Sequence, residues 1–203
     1  MLDRILSKRG VLIDLDGTLV EYAKNYASFA AELAERFEIS DPKPFLEIYH
    51  QQIVHEGPVT FRESIERSLQ VIGASKLQDF DHLVQVSVDQ YANGISRLPH
   101  TNKLLELLEG LPKAIVSNGP SDMQRAAIAS ARLHDDFQSI LISGDADVAV
   151  RKPAAEIFRL ACRRLDLPPG EVVMIGDNQL ADIEGAQSAG IEALHIDEII
   201  SCL

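Results

Sequence analysis

The chain has 203 residues, 46% of them hydrophobic, a formal charge of −12 and two cysteines. That supplies apolar material for one domain, or for a core with a smaller accessory domain, and excludes a disordered chain. The acidic balance excludes a nucleic-acid footprint, because duplex affinity rests on basic residues neutralising phosphates, and any phosphate ligand needs a locally positive pocket. Cys162 and Cys202 are too few for a disulfide framework, no apolar run has membrane-span length, and Met1 to Gly10 joins no apolar region to a cleavage site. A soluble cytoplasmic protein with no membrane partner is expected.

The first predicted element is a strand, Val11-Leu12-Ile13, which runs into Asp14-Leu15-Asp16-Gly17-Thr18. A carboxylate at the end of a buried strand, backed by a second carboxylate and a glycine turn, is placed to bind a hard metal ion and to attack an electrophile. From there to Leu98 the pattern is helical only. Tyr26, Phe29, Ala30, Leu33 and Phe37 recur at helix spacing, then Phe61, Ile65, Leu69 and Ile72, then Phe80, Leu83, Val84, Val88 and Tyr91. These three stripes predict a small bundle. Thr60-Phe61-Arg62-Glu63 reads as a capping box, whereas Asp41-Pro42-Lys43-Pro44 and Gly57-Pro58 read as punctuation.

Beyond Leu98 short β-branched runs alternate with amphipathic segments: Ala114 to Val116, Ser121 to Ala131, Ile140 to Ile142, Pro153 to Leu165, Val172 to Ile175, Ala181 to Ala189, and Ala193 to Ile196. This alternation predicts βαβ units on a parallel sheet. Ser121-Asp122-Met123-Gln124 reads as a capping box, Pro153 as a first helical position, and Gly110 and Gly190 as helix stops. The expected fold is α/β: a Rossmann-like parallel sheet core over 1–20 and 98–203, with an α-helical cap inserted at 21–97.

Four chemistry-bearing clusters accompany the predicted strands: Asp14 to Thr18, Ser117-Asn118-Gly119, Arg151-Lys152-Pro153, and Gly176-Asp177-Asn178 with Asp182 five residues beyond Asp177. In open parallel sheets ligands bind outside the carboxyl ends of the strands, so three clusters should converge on one crevice, with Lys152 reaching it from its loop. Taken singly, each has a bland reading. Asp-Gly-Thr and Ser-Asn-Gly serve as turns, Lys152 as a solvated side chain before proline, and Asp182 as a favourable charge in a first helical turn. Their joint occurrence in this order favours chemistry.

The order and residues closely resemble the haloacid dehalogenase superfamily, mostly phosphohydrolases with an inserted cap. The resemblance rests on Asp14 to Thr18, Ser117 to Gly119, Lys152-Pro153 and Gly176 to Asp182, extends to Lys152-Pro153-Ala154-Ala155-Glu156-Ile157-Phe158 and Asp182-Ile183-Glu184-Gly185-Ala186, and covers the whole core. The helical insertion between the first two motifs resembles members with a C1 cap. Ala149 departs from the pattern, standing where many relatives have glycine three residues before the lysine.

The resemblance implies that Asp14 is the nucleophile, forming an aspartyl-phosphate, and that Mg²⁺ is held by Asp14, the main-chain carbonyl of Asp16 and the side chain of Asp177. Asp182 then supports the metal or Lys152. An alkoxide is a poor leaving group, so Asp16 is expected to protonate the bridging oxygen and later to activate water. Dehalogenases lack an aspartate there, since halide leaves without a proton; dehalogenation is disfavoured. Ser117, Asn118 and Lys152 are expected to bind the phosphate, with main-chain amides near Leu15 and Asn118 adding donors, and Thr18 to orient Asp16. His55, His100, His134 and His195 lack metal-ligand spacing and read as ordinary surface or core residues, and Cys162 as a packed helix residue.

The expected activity is hydrolysis of a small phosphorylated metabolite. Substrate-contact candidates are Glu21, Tyr22, Asn25, Tyr26, His55 and Arg62, which flank the first motif or sit at cap turns; the stripe favours Tyr26 as core, and Arg62 as a surface helix residue over an anion anchor. Glu56 to Thr60 has a faint likeness to cap loops of nucleotidase-like and sugar-phosphatase-like members. Two alternatives stay open: a phosphomutase, which would return the phosphoryl group to a sugar phosphate, and a receiver-type signalling domain, which would only hold it.

Overall fold

A computed structural model describes residues 2–55, 57–74 and 77–203, apart from the side chain of Tyr26. A short helix, α1 (Leu2–Leu6), leads into β1 (Gly10–Ile13). After β2 (Val20–Tyr22) come four helices, α2 (Tyr26–Arg36), α3 (Pro42–Val54), α4 (Phe61–Val71) and α5 (Phe80–Asn93), and then β3 (Ile95–Arg97). The chain continues with α6 (Thr101–Leu107), β4 (Lys113–Ser117), α7 (Ser121–Ser130), β5 (Ser139–Ile142), α8 (Ala155–Arg164) and β6 (Val172–Gly176). A wide π-helical turn (Gln179–Glu184) runs into α9 (Gly185–Ser188), followed by β7 (Glu192–His195) and α10 (Ile196–Ile200).

Five strands form one all-parallel sheet in the order β5-β4-β1-β6-β7. Such a sheet is covered on both faces, so its strands are apolar on both. On one face Val11, Ile13, Ile115, Val173 and Ile175 pack with Leu104 of α6, Ile128 of α7 and Ile199 of α10. On the other Leu12, Ala114, Val116, Val172 and Met174 pack with Ile157, Phe158 and Ala161 of α8 and Ala186 of α9. β1 is central, and its carboxyl end lies where the strand order diverges toward β4 on one side and β6 on the other. That junction is where a ligand crevice opens in doubly wound sheets.

The segment between β2 and β3 carries its own apolar cluster, built on Phe29, Leu33, Phe37, Phe45, Tyr49, Phe61, Ile65, Leu69, Phe80, Val84 and Val88, and it takes in Met123 of α7. Its docking on the sheet is polar as well. Asp122 Oδ1 accepts the main-chain N–H of Phe61 at 2.7 Å, and Val59 exchanges main-chain bonds with Gly144 and Ser121.

Four local expectations are corrected. The insertion has a helix beyond the three stripes: Asp41 caps the N–H of Lys43, and Pro42 occupies the first turn of α3, where a missing N–H costs nothing. It is not helical throughout, because β2 and β3 pair antiparallel at its ends and three residues are too few to show alternation. Ser121 opens α7 without a side-chain cap, since Pro120 holds the N-cap position and the Gln124 side chain turns to Asp16. Pro153 lies in the turn before α8, which begins at Ala155.

Candidate active site

The carboxyl end of β1 is fixed by its neighbour: the Asp14 N–H donates to the Ile175 carbonyl at 2.9 Å, continuing the ladder with β6. The chain then folds tightly back. Leu15 O accepts the N–H groups of Leu19 and Val20, and Gly17 N–H donates to Val20 O. Gly17 has φ +80°, and a Cβ there would run into the Asp177 carboxylate. Glycine thus lets the loops after β1 and β6 close on each other.

Lys152 joins three of the predicted clusters. Its ammonium lies 2.5 Å from Asp14 Oδ1 and 2.6 Å from Asp182 Oδ1, with all three side chains buried. Asp182 Oδ2 accepts the Asn178 N–H at 3.0 Å, so both of its oxygens are engaged. The Asn118 side chain clamps the Lys152 main chain: Nδ2 donates to Lys152 O and Oδ1 accepts Lys152 N–H, both at 2.9 Å. Asn118 therefore turns its side chain to the lysine loop. Ser117 Oγ is buried at the end of β4 with no partner among the described residues, the state expected of a hydroxyl that faces a ligand.

Asp16 is held differently. Gln124 Nε2, from α7, donates to its Oδ2 at 2.7 Å and to Asn118 O at 3.1 Å, while Tyr91 Oη, from α5, stands 3.5 Å from its Oδ1. The Thr18 hydroxyl makes a long contact, 3.5 Å, with Asp14 Oδ2 and none that orients Asp16. The two carboxylates consequently sit in different settings, Asp14 against an ammonium and Asp16 against an amide.

Burial raises the Asp14 carboxyl to about 7, against the pull of Lys152 and with Asp182 and Asp16 adding to the rise. Burial likewise raises Asp16, opposed by the Gln124 hydrogen bond and Lys152. Asp177 is raised by burial and by Asp182. For Lys152 burial acts downward, but Asp14 and Asp182 outweigh it and hold the ammonium charged. Asp14 and Asp182 thus pair with one buried lysine, and Asp16 and Asp177 lie close enough to feel its charge. One oxygen each from Asp14, Asp177 and Asp182 lies within 4.8 Å of the others. Hard oxygen donors with excess negative charge fit a divalent cation of the Mg²⁺ or Ca²⁺ kind.

Of the residues expected at substrate, Tyr22 lines a cavity above Asp16. Arg62 does not reach the site: it pairs with Asp81 at 2.9 Å and Glu66 at 2.8 Å and lies over the Phe80 ring. Glu21 is exposed on β2, Asn25 caps α2 through the Ser28 N–H, and His55 ends α3. The Tyr26 side chain and Glu56 lie outside the described residues.

Sequence reasoning missed Gln124, which is hidden inside an apparent capping box, and two histidines. His100 Nε2 bonds Thr18 O at 2.8 Å and His195 Nε2 bonds Asp177 O at 2.7 Å, so each fixes the main chain of a site loop. His195 Nδ1 accepts the Asp197 N–H, which assigns the proton to Nε2 and makes it the donor to Asp177. No local sequence signal announces these contacts, which span 82 and 18 residues.

Residues 8–190 match the family described as haloacid dehalogenase-like hydrolase. The chain is 30% identical over 205 residues to a ribulose-1,5-bisphosphate 5-phosphatase of Halopiger xanaduensis, covering 92% of this chain and 84% of that protein. It is 39% identical over 88 residues to a phosphoserine phosphatase of Thermus thermophilus, covering 43% of this chain and 34% of that one. Among solved structures, a HAD phosphatase from Thermococcus onnurineus superposes with a TM-score of 0.67 at 26% identity, covering 91% of this chain and 84% of the other. With the motif residues gathered at the strand ends of a parallel sheet, the chain belongs to the haloacid dehalogenase-like hydrolases.

Proposed function

We propose that this chain is a Mg²⁺-dependent phosphatase that hydrolyses a small phosphorylated metabolite through an aspartyl-phosphate on Asp14. It is a phosphoric monoester hydrolase; relatives named as phosphatases of phosphoserine and ribulose bisphosphate support that class. The observation that carries the mechanism is the unequal pair: Asp14 paired to a buried ammonium, Asp16 held by a neutral amide. Two carboxylates in settings this different suit different tasks.

In the proposed reaction an Asp14 oxygen attacks phosphorus and the bridging P–O bond breaks, the departing alcohol taking a proton from Asp16. Asp16, now ionised, accepts a proton from water, whose oxygen attacks the phosphoryl group and frees phosphate and Asp14. Ser117 Oγ donates to a phosphoryl oxygen, Lys152 offsets charge developing there, and Asn118 contributes its main-chain amide. Bound at Asp14, Asp177 and the Asp16 carbonyl, Mg²⁺ would supply the charge that lets a carboxylate approach a phosphate. Asp182 holds Lys152 in place.

The division into a core, 1–20 and 98–203, and a cap, 21–97, belongs to the same proposal, supported by the separate apolar cluster of the insertion. So does a cytoplasmic setting, supported by two free cysteines. Among the described residues no helix is long and apolar enough to cross a membrane. The test is phosphate release from a panel of phosphorylated metabolites with and without Mg²⁺, using Asp14→Asn as the blank. Release that depends on both the metal and Asp14 supports the proposal. Return of the phosphoryl group to substrate in place of phosphate release would make the enzyme a mutase.

A further inference from the structure

We propose, resting on the phosphatase reading, that the alcohol part of the substrate is an uncharged ring-bearing or alkyl group, and that alcohols carrying a carboxylate or a second phosphate are rejected. The cavity that opens on Asp16 has a volume of about 420 Å³, within the range of small-molecule sites. Asp16 and Gln124 form one side of it, and the rings of Tyr22, Phe29, Tyr49 and Tyr91 form a wall. Tyr22 packs against Tyr91 at 4.9 Å between ring centres and edge-on to Phe29 at 6.0 Å, so the wall is braced before any ligand arrives. A group released from phosphorus next to Asp16 enters this space.

Among the described residues no lysine, arginine or histidine lines the cavity. Nearby cations are engaged elsewhere: Arg36 by Ser87 and Gln90, Lys24 by Glu32, and Lys152 by Asp14 and Asp182. Arg151, which is not among the lining residues, donates to the Ile53 main-chain carbonyl at 2.9 Å. An anionic alcohol would lose its hydration against aromatic faces and meet the Asp16 carboxylate, with no cation among the described lining residues to repay it. The polar atoms on offer are neutral. Tyr22 and Gln124 are lining residues whose Oη and Oε1 are buried with no partner among the described residues. Phosphoserine carries a carboxylate and ribulose bisphosphate a second phosphate, so this pocket sets the chain apart from the relatives named for them.

The test compares kcat/KM for benzyl phosphate and phosphoglycolate in the Mg²⁺-supplemented protein, with acetyl phosphate as a substrate lacking both ring and extra charge. Benzyl phosphate should be preferred by about tenfold or more. Ile53→Arg, which adds a cation to the lining, should lower the benzyl rate and raise that of phosphoglycolate. Equal or better use of phosphoglycolate by the unaltered protein overturns the inference. Titration with benzylphosphonate and phosphonoacetate decides it without turnover: tighter benzylphosphonate supports it, equal or tighter phosphonoacetate overturns it. Failure to hydrolyse acetyl phosphate would instead count against the phosphatase reading, with the phosphonate pair still deciding the pocket.

Discussion

Gln124→Met separates activity from stability. Gln124 is 5% exposed, and its amide makes two bonds through Nε2 while Oε1 has no partner among the described residues. Methionine fills nearly the same volume without either group. Losing a hydrogen bond to a carboxylate costs about 1.5–3 kcal/mol, so an Asp16 no longer held in place should slow alkyl phosphates by about 10- to 150-fold. Aryl phosphates, whose leaving groups need less protonation, should lose less. The amide also favours ionised Asp16, so its removal raises that carboxyl further and moves the acid limb of the base-dependent half-reaction to higher pH. Stability behaves differently, because removing an orphaned oxygen offsets the two lost bonds to within about 1 kcal/mol, or about 4 °C in Tm for a chain of this size. Steady-state rates on matched alkyl and aryl phosphates, beside a thermal melt, check both halves. Alkyl turnover within about twofold of the parent would show that the amide does not position Asp16.

Other expectations follow from single contacts. Asp122→Ala removes the acceptor that holds the Phe61 and Met123 N–H groups at 2.7 and 3.0 Å, and should cost about 1–2 kcal/mol in urea unfolding; an unchanged midpoint would refute its role in joining α4 to α7. Ala149 adopts φ +52°, a left-handed conformation costing an L-residue about 1–2 kcal/mol. Allowing about 0.5–1 kcal/mol for glycine's greater chain entropy, Ala149→Gly should stabilise by up to about 1.5 kcal/mol. A lower urea midpoint would contradict this. Cys162 is 2% exposed and burial pushes its thiol up to about 11, whereas Cys202 is exposed. A thiol reagent should therefore modify Cys202 alone in the native protein and both cysteines after denaturation; rapid native labelling of Cys162 would contradict its packing.

What could be read before the structure follows from how local each signal is. Short β-branched runs such as Val172 to Ile175, alternating with amphipathic segments, announce a parallel sheet, and strand ends then predict that Asp14, Ser117 and Asp177 lie near one another. Asp41-Pro42 is ambiguous in sequence, since the same residues break one helix and start another. Thr18 and Arg62 carry no mark of which carboxylate they will meet: one contacts Asp14, the other Asp81 and Glu66. Gln124 reaches Asp16 across 108 residues, and only the packing of α7 beside the loop after β1 brings them together. The cavity is likewise assembled from the loop after β1, from β2, α2, α3 and α5, and from α7, so no single stretch foretells it.

The central claim is that the phosphoryl group passes through Asp14. Quenching the Mg²⁺-supplemented enzyme in acid during turnover and mapping the phosphorylated residue by mass spectrometry tests it directly. The account predicts an acyl-phosphate on Asp14 that is absent from Asp14→Asn. A phosphoryl group on another residue, or continued phosphate release by Asp14→Asn, would contradict it.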